Sequence, residues 1–173
     1  DTGNTVEELK ELFKKQNVKH FKIATLFFKP EAYKKDLKLD YIGIDAYFPL
    51  SEKRDPSYLS FIQAWQPHFN KIQGLALSCE KQVVFTEYGY RSVDYLGAKP
   101  WLVDKNKEAV NLAAQSRAIR AIVDTFWSEE WFQGGFIWKW FMFLDTAGGS
   151  ENNRFTPQNK PAAQTLEGLY GKY

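Results

Sequence analysis

The stretch VVFTEYGYRS, residues 83–92, governs how this chain is read. Val83, Val84 and Phe85 run into a carboxylate, Glu87, and Tyr88, Gly89, Tyr90 and Arg91 follow at once. A short apolar run rich in β-branched and aromatic residues reads as a strand covered on both faces. An acidic group standing where such a strand emerges, among aromatic rings, needs a chemical reason.

Working outward, the same kind of run recurs. FKIATLFF (21–28) reads as a strand closed by Lys29-Pro30, and LDYIGIDAYF (39–48) as a second, stopped by Pro49. KQVVFTEYGY (81–90) is the third and GGFIWKWF (134–141) the fourth. Helical patterns lie between them. In TVEELKELFKKQN (5–17), Thr5 and Glu8 have capping-box spacing, and Val6, Leu9, Leu12 and Phe13 share one face. EAYKKDLK (31–38) is a short polar connection. Asp55-Pro56 offers an N-cap followed by proline, and Tyr58, Ile62, Trp65, Phe69 and Ile72 then form an apolar stripe. Pro67 lies inside that stripe and predicts a kink or break. The pattern at 105–132 reads as a long helix, 145–160 as a polar loop, and 161–170 as a closing helix with proline at its start.

Strands alternating with helices imply an α/β fold of parallel strands joined by right-handed crossovers. A complete (β/α)8 barrel takes about 250 residues. With 173 residues and four expected strands, the chain reads as one partial domain, half of such a barrel. A half barrel has open edges, so a partner half, a dimer or poor solubility is expected.

Composition narrows the function classes. Lys plus Arg is 23 and Asp plus Glu is 21, too balanced to imply a nucleic-acid or membrane-surface partner. The lysines near the start are interleaved with Glu7, Glu8, Glu11, Glu31 and Asp36, which describes a solvated face. Aromatic residues make up 17%, with six Trp, and suit stacking on flat apolar faces such as sugar rings or nucleobases as well as an ordinary core. Cys79 is the one cysteine, so no internal disulfide is possible and the redox compartment stays open. His20 and His68 lack metal-ligand spacing, and Gly148-Gly149 lacks the Lys-Ser/Thr of a phosphate loop.

In parallel α/β folds the working residues gather at the C-terminal ends of the strands. Those ends carry Asp45 and Tyr47, then Glu87, Tyr90 and Arg91, then Trp138 and Trp140. Strand alternation puts Asp45 with Tyr47 and Trp138 with Trp140. Two carboxyl groups, phenols and indoles around one rim suit glycoside hydrolysis. A retaining mechanism pairs a nucleophilic carboxylate with an acid about 5–5.5 Å away. The nucleophile needs donors beside it, which Tyr47, Tyr90 and Arg91 could supply, and a tryptophan could floor the sugar ring. Position alone leaves plainer roles open: Glu87 as a cap or ion-pair partner, Asp45 as an acceptor of loop N–H groups, one of Trp138 and Trp140 as core. Trp65, Trp127 and Trp131 fall in helices and read as packing.

LDYIGIDAYFPL, VVFTEYGYRS, GGFIWKWF and FTPQNKPA, in that order, resemble the C-terminal half of glycoside hydrolase family 113, clan A barrel enzymes known for endo-β-1,4-mannanase activity. The resemblance runs from about Phe21 to the end and makes the strands the fifth to eighth of a barrel. It implies Glu87 as nucleophile and Tyr47 as a hydrogen-bond partner of nucleophile and sugar. It implies Asp45 as part of the rim, Tyr90 and Arg91 as supports of the nucleophile loop, and Trp138 and Trp140 as substrate-facing residues. FTPQNKPA would be a structural return into the last helix. The family's acid/base is a glutamate closing the fourth strand, which the resemblance places before this chain; Glu7 and Glu8 suit a helix first turn instead, and Asp145 and Glu151 are remote substitutes. No metal or organic cofactor is implied. The implied partner is a β-linked polysaccharide or oligosaccharide, with no nucleic acid and no membrane. The alternative is a degenerate relative that binds carbohydrate without cleaving it. Polysaccharide hydrolysis favours a secreted or cell-envelope location, although no residue fixes the compartment.

Overall fold

The computed structural model describes residues 40–103 and 109–172. The expected helix at 5–17, strand at 21–28 and connection at 31–38 lie outside the described residues, as do His20, Glu7 and Glu8.

Three successive strand–helix units follow. They are β1 (Tyr41–Asp45), α1 (Tyr58–Cys79), β2 (Gln82–Tyr88), α2 (Leu112–Phe126), β3 (Phe132–Ile137) and α3 (Pro161–Tyr170). The strands form one parallel sheet in the order β1-β2-β3. Both crossovers contain a helix, as parallel neighbours require.

Local chemistry sets the boundaries. Ser57, not Asp55, caps α1: its hydroxyl accepts from the Ser60 N–H at 3.2 Å. Asp55 instead pairs with Arg117 of α2. The helix runs through Pro67 without a break, because Phe61, Trp65 and Ile72 hold both halves of the stripe in the core. It ends at Glu80, whose left-handed φ of 51° lets its N–H reach the Ala76 and Leu77 carbonyls. Asn111 caps α2, accepting from the Ala114 N–H at 3.0 Å. Residues 109–111 are not helical, so the described helix opens at Leu112, inside the expected pattern, and the last residue of that pattern, Phe132, is strand. Phe132 bonds into the ladder beside Val83, so β3 begins early and closes at Ile137, before the tryptophans.

The helices cover one face of the sheet. Phe126 of α2 is the hub, with ring centroids 4.9 Å from Phe85, 5.3 Å from Trp65 and 5.5 Å from Phe132. Trp65 is fully buried, Trp127 stacks on Tyr170 of α3, and Trp131 meets Phe69 of α1 edge-on. All three are packing residues. Tyr41 and Phe136 remain exposed on the strands. Among the described residues, no strand pairs with the outer edge of β1 or of β3. Three parallel βα units, with one covered and one open face among the described residues, form part of a barrel. No helix among the described residues is long and apolar enough to cross a membrane.

Candidate active site

The placement of Glu87 depends on an irregularity in β2. Val83 and Phe85 are buried beneath the helices. Strict alternation would put residue 87 beside them. Instead Tyr88 is the next fully buried side chain, and the ladder shifts register here on both sides, with Ile44 opposite Phe85 but Asp45 opposite Glu87. One extra residue turns Glu87 away from the helices, leaving it half-buried at the end of β2. Tyr88 takes the helix side, edge-on to Trp127 and hydrogen-bonded to Tyr170.

Residues at the end of β1 and just beyond it meet Glu87. The Ala46 N–H donates to the Glu87 carbonyl at 2.7 Å, which locks the two strand ends together. The Tyr47 hydroxyl donates to Glu87 Oε2 at 3.1 Å. Asp45 Oδ1 accepts from Thr86 Oγ1 at 2.6 Å. Burial, then the Glu87 and Asp45 carboxylates, push the Tyr47 phenol far above its ordinary range. Tyr47 is therefore a fixed donor throughout the working pH range. Its ring lies edge-on to Phe155, which sets the phenol's direction.

Tyr90 and Arg91 follow Glu87 in the loop after β2. The Tyr90 ring is fully buried against Phe61, and burial raises its pKa. Its carbonyl accepts from Gln115 Nε2 at 2.8 Å. Arg91 is buried too, and its Nε donates to the Asn153 carbonyl at 3.2 Å. Of the three donors considered for Glu87, the structure shows the bond from Tyr47.

Trp138 is fixed by its backbone. Its N–H donates to the Tyr88 carbonyl at 2.7 Å, one residue past Glu87. Gly89 permits this approach, since a Cβ there would meet the Trp138 carbonyl oxygen at 2.2 Å. The Trp138–Lys139 peptide is cis. Trp138 and Trp140 are 41% and 57% exposed, so neither is core among the described residues. Nor do they share a setting. Trp140 lines a separate cleft of about 540 Å³ with Leu144, Gln158, Asn159 and Pro161, which includes none of Asp45, Tyr47, Glu87 or Trp138. The alternation that would align the two indoles fails because both lie beyond the end of β3. Asp145 and Glu151 are exposed in the loop after β3, and no described bond links them to Glu87.

Sequence reasoning missed a polar staple with two buried members, Gln158 and Lys160. The side chains of Gln158 and Asn159 hold the connection after β3, and that of Lys160 also reaches the loop after β2. Gln158 bonds the Phe141 backbone, and Asn159 Nδ2 donates to the Leu144 and Ala147 carbonyls at 2.8 and 2.9 Å. Lys160 Nζ donates to Ser92 Oγ at 2.9 Å and the Arg154 carbonyl at 2.8 Å. A serine and a lysine this close could suggest a nucleophilic dyad. Both are buried, however, and Ser92 points its own hydrogen at backbone carbonyls, so the pair is structural. The available signal was four polar residues in TPQNK, directly before a helix-starting proline. Among the described residues, no group of three His, Cys, Asp or Glu side chains converges as metal ligands would.

Comparison with known proteins agrees with this geometry. The family model for Glycoside Hydrolase Family 113 matches residues 29–160, most of the chain. A second model, for a phosphoribosyl transferase domain, matches residues 1–55 and takes in neither Glu87 nor the tryptophans. No curated protein matches. Among solved structures, the GH113 β-mannanase AaManA from Alicyclobacillus acidocaldarius, in complex with ManMIm, is 26% identical with a TM-score of 0.61. The alignment covers 78% of this chain and 40% of that one. A GH113 β-1,4-mannanase complex has the same TM-score at 20% identity, and the Faecalibacterium prausnitzii β-glucuronidase reaches 0.51 at 18%; these last two show the fold alone. The parallel sheet thus belongs to a barrel of the glycoside hydrolase type. The chain is a member of Glycoside Hydrolase Family 113. It spans 40% of the length of the mannanases it matches.

Proposed function

We propose that this chain carries the nucleophile of a retaining β-glycoside hydrolase of the endo-β-1,4-mannanase kind, as the C-terminal half of its barrel. The observation carrying this reading is the Tyr47–Glu87 hydrogen bond of 3.1 Å at adjoining strand ends, where the β2 irregularity turns Glu87 away from the core. Glu87 would attack the anomeric carbon as the glycosidic C–O bond breaks. A glutamate outside this chain would protonate the leaving oxygen, then take a proton from the water that releases the sugar. Tyr47 would hold the carboxylate in line, Asp45 would shape the rim through Thr86, and Trp138 would lie under a sugar ring. The remaining strands, from the rest of the barrel or a second chain, would close the open edges. No step requires a metal or organic cofactor.

A 2-fluoro-mannoside with a good leaving group tests this in the protein carrying the chain. Peptide mass mapping should find the trapped sugar on Glu87. Turnover should fall on the order of a thousandfold in Glu87→Gln, and roughly 10- to 100-fold in Tyr47→Phe, which loses one bond to a charged acceptor. Intact sugar binding with no label at Glu87 would favour a non-catalytic carbohydrate-binding relative.

A further inference from the structure

The segment from Trp138 to Phe143 follows β3 without regular secondary structure, yet it opens with Trp138, whose N–H bonds the Tyr88 carbonyl at the Glu87 strand end. Its backbone is pinned at two points. One is the sheet itself, through the Trp138 N–H on the Tyr88 carbonyl. The other is a side chain. Gln158 closes both ends of its amide on one residue: Oε1 accepts from the Phe141 N–H at 2.6 Å and Nε2 donates to the Phe141 carbonyl at 2.9 Å. This reproduces with an amide what a neighbouring strand would supply.

The clamp is built to stay in place. Gln158 is 1% exposed, so breaking its bonds would strand polar groups away from water. The Phe141 N–H, which can only donate, fixes which end of the amide is oxygen, and the Thr156 hydroxyl donates to the same Oε1 at 3.0 Å. Gly148 lets the chain lie on the Gln158 backbone, since a Cβ there would fall 1.6 Å from the Gln158 carbonyl oxygen. Local backbone order alone would not require the donor and acceptor to meet the same residue.

We infer that Gln158 is a positioning residue for sugar binding: its clamp on Phe141 fixes the far end of the segment that carries Trp138 and Trp140, whose near end is bonded to the Tyr88 carbonyl. This rests on the glycosidase reading above. Gln158 touches no substrate in this role; it acts through the backbone between residues 138 and 141.

The test uses Gln158→Met, which preserves bulk and removes both bonds, in the protein carrying this chain. Hydrogen exchange at the Phe141 amide reads the clamp directly, and calorimetry with mannotetraose reads binding. Phe141 should be protected in the native protein and exchange at least about tenfold faster in the variant. The dissociation constant and KM should rise at least about fivefold while kcat changes less than about twofold, as expected when ground-state binding is lost. Thr156→Val should show the same pattern more weakly, and replaces Gln158→Met if that variant does not fold. Faster exchange with unchanged sugar affinity would reduce Gln158 to a purely structural role and overturn the proposal. Unchanged exchange would show that the clamp does not hold Phe141 and overturn it as well. If the native protein protects Phe141 but binds no mannotetraose, the glycosidase reading fails, and this role with it.

Discussion

Lys160 is 4% exposed and has two neutral acceptors, Ser92 Oγ and the Arg154 carbonyl, with no carboxylate among its described partners. Desolvation pushes its ammonium down from 10.5 to about 8. Holding it charged at neutral pH costs up to about 3 kcal/mol. The sign follows from proton binding. Between the folded value near 8 and the unfolded value of 10.5, the unfolded chain keeps a proton that the folded protein gives up. Stability therefore rises with pH across that window, until tyrosines of the unfolded chain begin to ionise near pH 10. Urea unfolding at about pH 7.5 and about pH 9.5 should show the native protein gaining about 2 kcal/mol relative to Lys160→Met. Equal slopes in the two proteins would mean that Lys160 keeps an ordinary pKa.

At the scale of elements, the junction of β2 and β3 is the most constrained point. Two glycines make it possible. Gly135 admits Phe85 and Tyr88, whose atoms would lie within 3.0 Å of an added Cβ, and Gly89 admits the Trp138 carbonyl. Gly89→Ala should therefore destabilise the protein by about 2 kcal/mol or more, because the obstacle is backbone rather than a movable side chain. Chemical denaturation reads this, and a loss under about 0.5 kcal/mol would show that the strand ends separate easily. The helices were readable locally. The stripe read for α1 survives in its buried Trp65 and Ile72, the long pattern contains α2, and proline marks the start of α3. Their exact starts were less readable, because Asp55 and Ser57 are both good caps and only the Asp55–Arg117 pair separates their roles.

At the scale of the whole molecule, the sheet has two unpaired edges among its described residues, and Phe136, Met142 and Phe143 are each more than 65% exposed. Such edges and apolar surface invite pairing. The 173-residue chain expressed alone should self-associate at micromolar concentration in sedimentation velocity, and a monodisperse monomer would contradict this. The order of strands and helices, the parallel α/β class and the strand ends that carry carboxylates all follow from local pattern. Apolar runs and stripes report burial one segment at a time. The direction of Glu87 does not follow from them, since alternation alone would send it under the helices. A register shift against β1 and β3 turns it outward, and register exists only between strands. The same limit hid the reach of Gln158, Asn159 and Lys160 into the loops after β2 and β3, because those contacts join residues that only the folded chain brings together.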